Sequence, residues 1–275
     1  MNACIFGFLV CFLSLGCSAH IHTHTPESIP GQELLVATYN IRHGVGTDGK
    51  LDLSRALEVI RDLDIDVIAL QEVDEKVSRS GGVDQAQWLA KQLNMYFAFG
   101  SFMPYQGGQY GLAILSKFPI ASYTEWRLTD GNEPRVALAA DIVLPNSRLC
   151  TAVAVHFDWV KDDGFRFTQA AETIGNLESC ELPWIVFGDF NDVPQSRTMQ
   201  AFYAIGKPIK SSGGELLSFP AENPEIAIDS IIVGPPDQWA VSEGRVINEP
   251  IASDHRPVRG VLWLRNLAGT KRTKN

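Results

Sequence analysis

The sequence predicts an α/β fold of four layers, two packed and mostly antiparallel β-sheets flanked by helices. Three observations carry that prediction. Apolar strand-like runs outnumber helical segments by about two to one, which suits packed sheets with helices outside better than a doubly wound parallel sheet. Of 275 residues, 45% are hydrophobic and 20% charged, a balance that supplies a sizeable core and excludes disorder or a coiled coil. Gly and Pro punctuate the whole chain and no internal repeat is visible, which argues against solenoids and propellers.

The elements follow in order. Leu34 to Ile41 is a β-rich run, and Leu53, Ala56, Leu57, Ile60 and Leu63 then recur at helical spacing. Val67 to Val73 reads as a strand and Gln85 to Leu93 as a helix with Trp88, Leu89 and Leu93 on one face. Leu112 to Leu115, Arg135 to Leu144 and Cys150 to Phe157 are strand-like runs between Pro, Asn and Gly punctuation. Thr168 to Leu177 reads as a helix and Trp184 to Phe187 as a buried strand. Ile226 to Val233 and Val258 to Leu264 complete the set. No linker-like composition interrupts residues 34–266, which are expected to form one catalytic domain.

Residues 1–19 are of different material. Met1 to Ala19 carries no charged side chain, and Ile5 to Leu15 is apolar apart from Gly7 and Ser14. That is the texture of a secretory leader, though without a basic start, and it is too short for a comfortable membrane span. Two processing routes stay open. Leu15-Gly16-Cys17 resembles a lipoprotein box, which would make Cys17 the lipidated first residue, whereas Cys17-Ser18-Ala19 fits a small-x-small site with cleavage before His20. Residues 20–33, with His20, His22 and His24, read as a tether, and residues 267–275 as a basic tail. The expectation is an exported protein, either a periplasmic or outer-membrane lipoprotein or a freely secreted one. It would be a monomer that touches a membrane only through a lipid anchor.

Cys150 and Cys180 are the only cysteines beyond the leader. Each precedes a strand-like run, with one helical segment between them, so a βαβ crossover would bring both to one end of a sheet. One disulfide and two separate thiols both remain open.

The chemistry is written where apolar runs end. Tyr39-Asn40, Gln71-Glu72, His156-Phe157-Asp158, the run Gly188-Asp189-Phe190-Asn191-Asp192, and Ser253-Asp254-His255 all stand at such ends, where a rigid sheet feeds a loop. Outside the leader and tether only His43, His156 and His255 remain, and all three lie at or near these ends. Carboxylates and carboxamides without a cysteine cluster suit a hard cation, Mg²⁺ first, with Mn²⁺ or Ca²⁺ as alternatives. Imidazoles add groups that titrate near neutral pH. Together they describe metal-assisted hydrolysis of a phosphate ester.

Seven segments, in order, carry a resemblance: Thr38 to Ile41, Leu70 to Val73, Gly111 to Ile120, Val155 to Asp158, Gly188 to Asp192, Ile228 to Ile231 and Ser253 to Val258. They resemble the motifs of the endonuclease/exonuclease/phosphatase superfamily, whose fold is like that of DNase I. The resemblance implies that Glu72 is the principal metal ligand, that Asn40 helps bind metal or phosphate, and that Asp254 is a second metal-side carboxylate. It implies that Asp189 positions or deprotonates the attacking water and that Asn191 orients that water. His156 would contact the scissile phosphate or assist the leaving group, and His255 would bind the phosphate while held by Asp229. Arg135, Asp158 and His43 are weaker candidates for substrate binding.

Departures from the pattern bear on substrate. Ser230 stands where an aromatic residue often follows the motif Asp, and Leu112 where Asn is frequent. The net charge is −9, and no Lys/Arg stripe with interleaved aromatics is visible, so neither nucleic acid nor an anionic membrane is attracted in general. A small-molecule, sugar or lipid phosphoester is therefore favoured as substrate over DNA. A secreted nuclease is the alternative enzyme, and an inactive surface binding module the alternative of another class. The aromatic residues Trp126, Trp159, Phe165, Tyr105 and Tyr110 read first as core and second as an apolar rim.

Overall fold

The structure is a computed structural model that describes residues 31–211 and 213–266. Cys17, the leader, the histidine-bearing tether up to residue 30 and the basic tail lie outside the described residues. Chain order is β1 (Gly31–Asn40), α1 (Leu53–Leu63), β2 (Val67–Glu75), α2 (Gln85–Leu93), β3 (Tyr96–Tyr105), β4 (Gly108–Ser116), β5 (Ile120–Arg127) and β6 (Val136–Val143). It continues through β7 (Leu149–His156), α3 (Gly164–Glu178), β8 (Trp184–Asp189), α4 (Arg197–Ile205), β9 (Lys207–Pro208), β10 (Asp229–Gly234), β11 (Trp239–Val246) and β12 (Val258–Arg265).

Two six-stranded sheets result, ordered β11-β12-β1-β2-β4-β3 and β5-β6-β7-β8-β10-β9. Each is antiparallel except for one central parallel pair, β1/β2 in the first and β7/β8 in the second. A parallel pair needs a crossover, which α1 and α3 supply. The helices are set locally. Asp52 caps α1 by accepting from the Ser54 N–H, Asp84 caps α2 by accepting from the Gln87 N–H, and Asp64 and Asn94 end these helices in the left-handed conformation.

Three apolar layers give the four-layer stack. Between the sheets lie Leu34, Val36, Leu138, Ile185, Phe187, Ile231 and Leu262. Tyr39, Ile60, Ile68 and Leu89 fill the space under α1 and α2, and Val153, Phe157, Phe190 and Phe202 that under α3 and α4. Each large apolar side chain so buried contributes about 1.5–3 kcal/mol.

Cys150 and Cys180 are free thiols in the structure. Cys150 faces the layer between the sheets, while Cys180 packs with the helix-side layer beyond the other face of β7. Its Sγ lies 3.4 Å from Thr151 Oγ1. Side chains on opposite faces of one sheet cannot bond through it.

Parallel pairing decides where the polar termini go. Asn40 lies opposite Gln71, and His156 opposite Asp189, so each central pair ends at one level. Because β1 packs against β8, the two sets of ends meet across the seam. Within the second sheet Gly188 permits the close approach of β8 to β7, since a Cβ there would sit 2.0 Å from the Val155 carbonyl oxygen. Gly188→Ala is expected to cost about 1–3 kcal/mol, as overpacking of a tight core does. A urea-unfolding midpoint indistinguishable from wild type would refute it.

Candidate active site

Glu72 is aimed by an irregularity in its strand. Leu70 pairs with Ala113 and Val73 with Gly111, so β2 carries one residue more than β4 across this interval. Such a bulge bends the strand and turns a side chain out of the ladder. Glu72 itself has φ 57°, and Arg42, His43 and Asn191 also have positive φ. Non-glycine residues adopt this conformation at a cost of order 1–3 kcal/mol, and its concentration at one site marks the site as over-determined by its surroundings.

Asn40 joins the two sheets. Its Nδ2 donates to Glu72 Oε1 at 3.1 Å and to Asp189 Oδ2 at 3.3 Å, while its Oδ1 accepts from the Arg42 N–H. Asp189 is 1% exposed. Its Oδ2 is 3.6 Å from Nε2 of both His156 and His255, and its Oδ1 accepts from the Asn191 N–H at 2.9 Å. The Asn191 carboxamide in turn donates to the Phe157 carbonyl.

The two imidazoles differ in charge. His255 Nδ1 donates to Asp229 Oδ2 at 2.9 Å, and the same oxygen accepts from Ser218 Oγ at 2.6 Å. Burial alone would lower the His255 pKa, but Asp229 and Asp189 outweigh it and hold the imidazolium up to about 10. His156 is pushed well below the usual imidazole range, by burial first and by the Arg135 charge second. Burial raises the Asp189 carboxyl to about 7, with His255 opposing and Asp229 reinforcing. Glu72 ends low, at about 2, because His43, His156, Asn40 and His255 together overcome its desolvation.

The weaker candidates fall out differently. His43 Nδ1 lies 3.7 Å from Glu72 Oε2, so it belongs to the carboxylate's surroundings. Asp254, expected beside Glu72 at the metal, pairs with Arg42 Nε at 3.4 Å. Arg135, expected at the substrate, is 1% exposed, paired with Glu133 and lies over the Phe102 ring. Its Nε and Nη1 are buried without a hydrogen-bond partner, and its charge acts on His156. Asp158, also expected at the substrate, has both oxygens committed to the backbone N–H groups of Asn132 and Val160.

Arg42, Ser218 and the Ser253 hydroxyl complete the site and had no assigned role in the sequence reading. Ser253 Oγ donates to the Asn40 carbonyl at 2.7 Å, which moors the Asp254–His255 loop to β1. Arg42 and Ser253 adjoin recognisable motifs. Ser218 comes from an irregular loop, and nothing in its sequence neighbourhood announces it.

A hard divalent cation fits this donor set. Glu72 is ionised, its side chain is 23% exposed, and Asn40 adds a carboxamide. Ligand atoms of Asp189, Asp229 and His255 also lie within 4.8 Å of one another. There, however, Asp229 Oδ2 is already engaged by His255 and Ser218.

The family model described as endonuclease/exonuclease/phosphatase family matches residues 37–255. The chain belongs to that family. Members of the endonuclease/exonuclease/phosphatase family hydrolyse phosphoester bonds and generally use a divalent metal. The uncharacterized protein YbhP of Escherichia coli (strain K12) is 27% identical over 257 residues, covering 87% of this chain and 100% of YbhP. A family structure from Bacteroides vulgatus superposes with TM-score 0.70 at 24% identity, covering 85% of this chain and all of that one. The mannosyl-6-phosphatase Bt3783 of Bacteroides thetaiotaomicron shares the fold at TM-score 0.66 and 17% identity, over 83% of this chain and 99% of its own.

The raised pKa of His255 has a sign in stability. Its contribution is fully present below the ordinary value of about 6.5 and is lost as pH rises through about 10. Metal-free protein should lose stability across that interval, and Asp229→Asn should flatten the loss. Denaturation midpoints at several pH values, with an NMR titration of the imidazole, provide the check. An imidazole that titrates near 6.5 in the wild type would contradict it.

Proposed function

We propose that this protein is an exported, metal-dependent hydrolase that cleaves a small-molecule, sugar or lipid phosphoester by in-line attack of water. The observation that carries the reading is the buried Asp189 carboxylate, 3.6 Å from the Nε2 atoms of two imidazoles and tied through Asn40 to Glu72. A carboxyl raised to about 7 is matched to taking a proton from water near neutral pH. Asn191, fixed to the Asp189 loop and to Phe157, orients that water.

His255, charged and pinned by Asp229, donates to a non-bridging phosphate oxygen, where its charge opposes the negative charge that builds up as water adds. His156 contacts the phosphate from the β7 side of the same carboxylate. Glu72, with Asn40, would hold the divalent cation, and that cation neutralises the phosphoryl oxygens when bound. The acidic balance of the chain supports a small ester over a polyanion. Export is supported by the uncharged leader at Met1 to Ala19.

The test is product release from bis-p-nitrophenyl phosphate, p-nitrophenyl phosphate, sphingomyelin, inositol phosphates and plasmid DNA, with Mg²⁺ or EDTA. Turnover abolished by EDTA is expected, with kcat for Asp189→Ala lower by about 10²-fold or more. Plasmid DNA as best substrate would replace the small-ester reading with a nuclease. Metal binding without turnover on any member would favour an inactive binding module.

Metal affinity gives a separate check. Glu72→Gln should raise the Mg²⁺ concentration needed for half-maximal activity while the metal-free variant still unfolds cooperatively. An unchanged Mg²⁺ requirement would remove Glu72 from the metal.

A further inference from the structure

Two loops leave the parallel pair β7/β8 at the seam, residues 157–163 and 190–196, and one side chain of α3 grips both. Arg166 stands in the first turn of α3 and is buried. Its Nη1 donates to the carbonyl oxygens of Asp158 at 2.9 Å and Val160 at 3.1 Å, and its Nε donates to Asp192 Oδ2 at 3.1 Å. Three residues further along the same helix face, Gln169 accepts from the Asp158 N–H through Oε1 at 2.9 Å and donates through Nε2 to the Thr129 carbonyl at 3.0 Å. The N–H and the carbonyl of Asp158 are therefore both held by α3.

These contacts converge on Asn191. Its carboxamide donates to the Phe157 carbonyl, which belongs to the peptide unit whose N–H Gln169 accepts. Its backbone is held from the next residue, since Asp192 is the carboxylate that Arg166 binds. Asn191 has φ 51°, a conformation that a non-glycine residue keeps only where its surroundings enforce it. The side chains of Arg166 and Asp192 are 8% and 11% exposed, so solvent screens their pairing little. A guanidinium is planar with its donors at fixed angles. One Arg166 thus fixes two carbonyls and a carboxylate relative to one another.

We propose that Arg166 is a positioning residue for the hydrolysis. Through Asp192 and the 157–160 segment it sets the direction in which the Asn191 carboxamide faces the attacking water. The inference rests on the phosphoesterase reading, in which Asn191 orients that water beside Asp189. The Asn191–Phe157 hydrogen bond alone would leave the two loops free to move together. Arg166 ties them to α3, whose Ala170 and Leu177 share one apolar layer with Val153 and Val155 of β7 and Val186 of β8. The water-orienting amide is thereby referred to the same strands that carry His156 and Asp189.

The experiment is steady-state hydrolysis by the full protein with Mg²⁺, on whichever ester of the panel above turns over fastest. Arg166→Met should lower kcat roughly ten- to a hundredfold with KM within about twofold of wild type, because a displaced Asn191 weakens the transition state and not substrate binding. Arg166→Lys should recover part of the loss. Asp192→Asn, which keeps the side-chain volume, should lower kcat in the same direction by less, and it carries the test if Arg166→Met does not fold. Adding Arg166→Met to Asn191→Ala should leave kcat where Asn191→Ala has already put it, since both act on one group. A residue that only stabilised the fold would leave kcat per folded molecule unchanged in either background. Unchanged kcat in the folded single variants, or losses that multiply with Asn191→Ala, overturns the assignment and leaves the phosphoesterase reading standing. A wild type that turns over no ester of the panel overturns that reading and the positioning role with it.

Discussion

The structure turns on one buried carboxylate at the seam of two sheets. Asp189 ends a strand that is buried along its whole length, and a lone charge there would cost several kcal/mol. What offsets the cost comes from both sheets. Asn40 reaches it from β1, His156 from β7, His255 from the loop before β12, and the Asn191 N–H from its own loop. The sheets must therefore keep a fixed register with respect to each other. The parallel pairs β1/β2 and β7/β8 provide it by ending their strands at one level, and Gly188 permits the close approach of β8 to β7.

From that constraint follows an asymmetry of charge. Two imidazoles stand at the same distance from Asp189, yet one is driven towards the charged form and the other towards the neutral one. The difference lies in what stands behind each ring. Asp229, steadied by Ser218, backs His255, whereas His156 has the enclosed Arg135 guanidinium nearby and an Nδ1 without a partner. Environments that push equivalent groups apart allow one site to hold both a charged donor and a neutral contact at the same pH. Glu72 takes the opposite course from Asp189. Both carboxylates are desolvated, but several imidazoles and an amide act on Glu72 and keep it ionised for a cation, while Asp189 is left with a carboxyl that can accept a proton.

Legibility in the sequence followed burial. The central strands β1, β2, β4, β6, β7, β8, β10 and β12 were each visible as apolar runs, and α1, α2 and α3 by their spacing or apolar face. The strands that escaped notice are β3, β5, β9 and β11, which are the four edges of the two sheets. An edge strand need not be apolar on both faces, and β5 is exposed over most of its length. The site divides in the same way. Groups that end central strands or sit in compact motifs, among them Asn40, Glu72, His156, Asp189 and His255, were legible because hydrophobic runs point at them. Ser218 and the carboxylate commitments of Asp158 depend on loop paths that no periodicity encodes, and so does the packing of Arg135 against Phe102.

That division has a mechanical counterpart. Residues that carry out chemistry are fixed by central strands, whose two-sided burial leaves little freedom of position. Beyond them lie an edge strand of two residues, a short helix and a long loop. These elements pack on one face only, so their sequences can drift without disturbing the sheet register on which Asp189 depends. These peripheral elements are thus mechanically separate from the central strands that bring Asn40, His156 and Asp189 together.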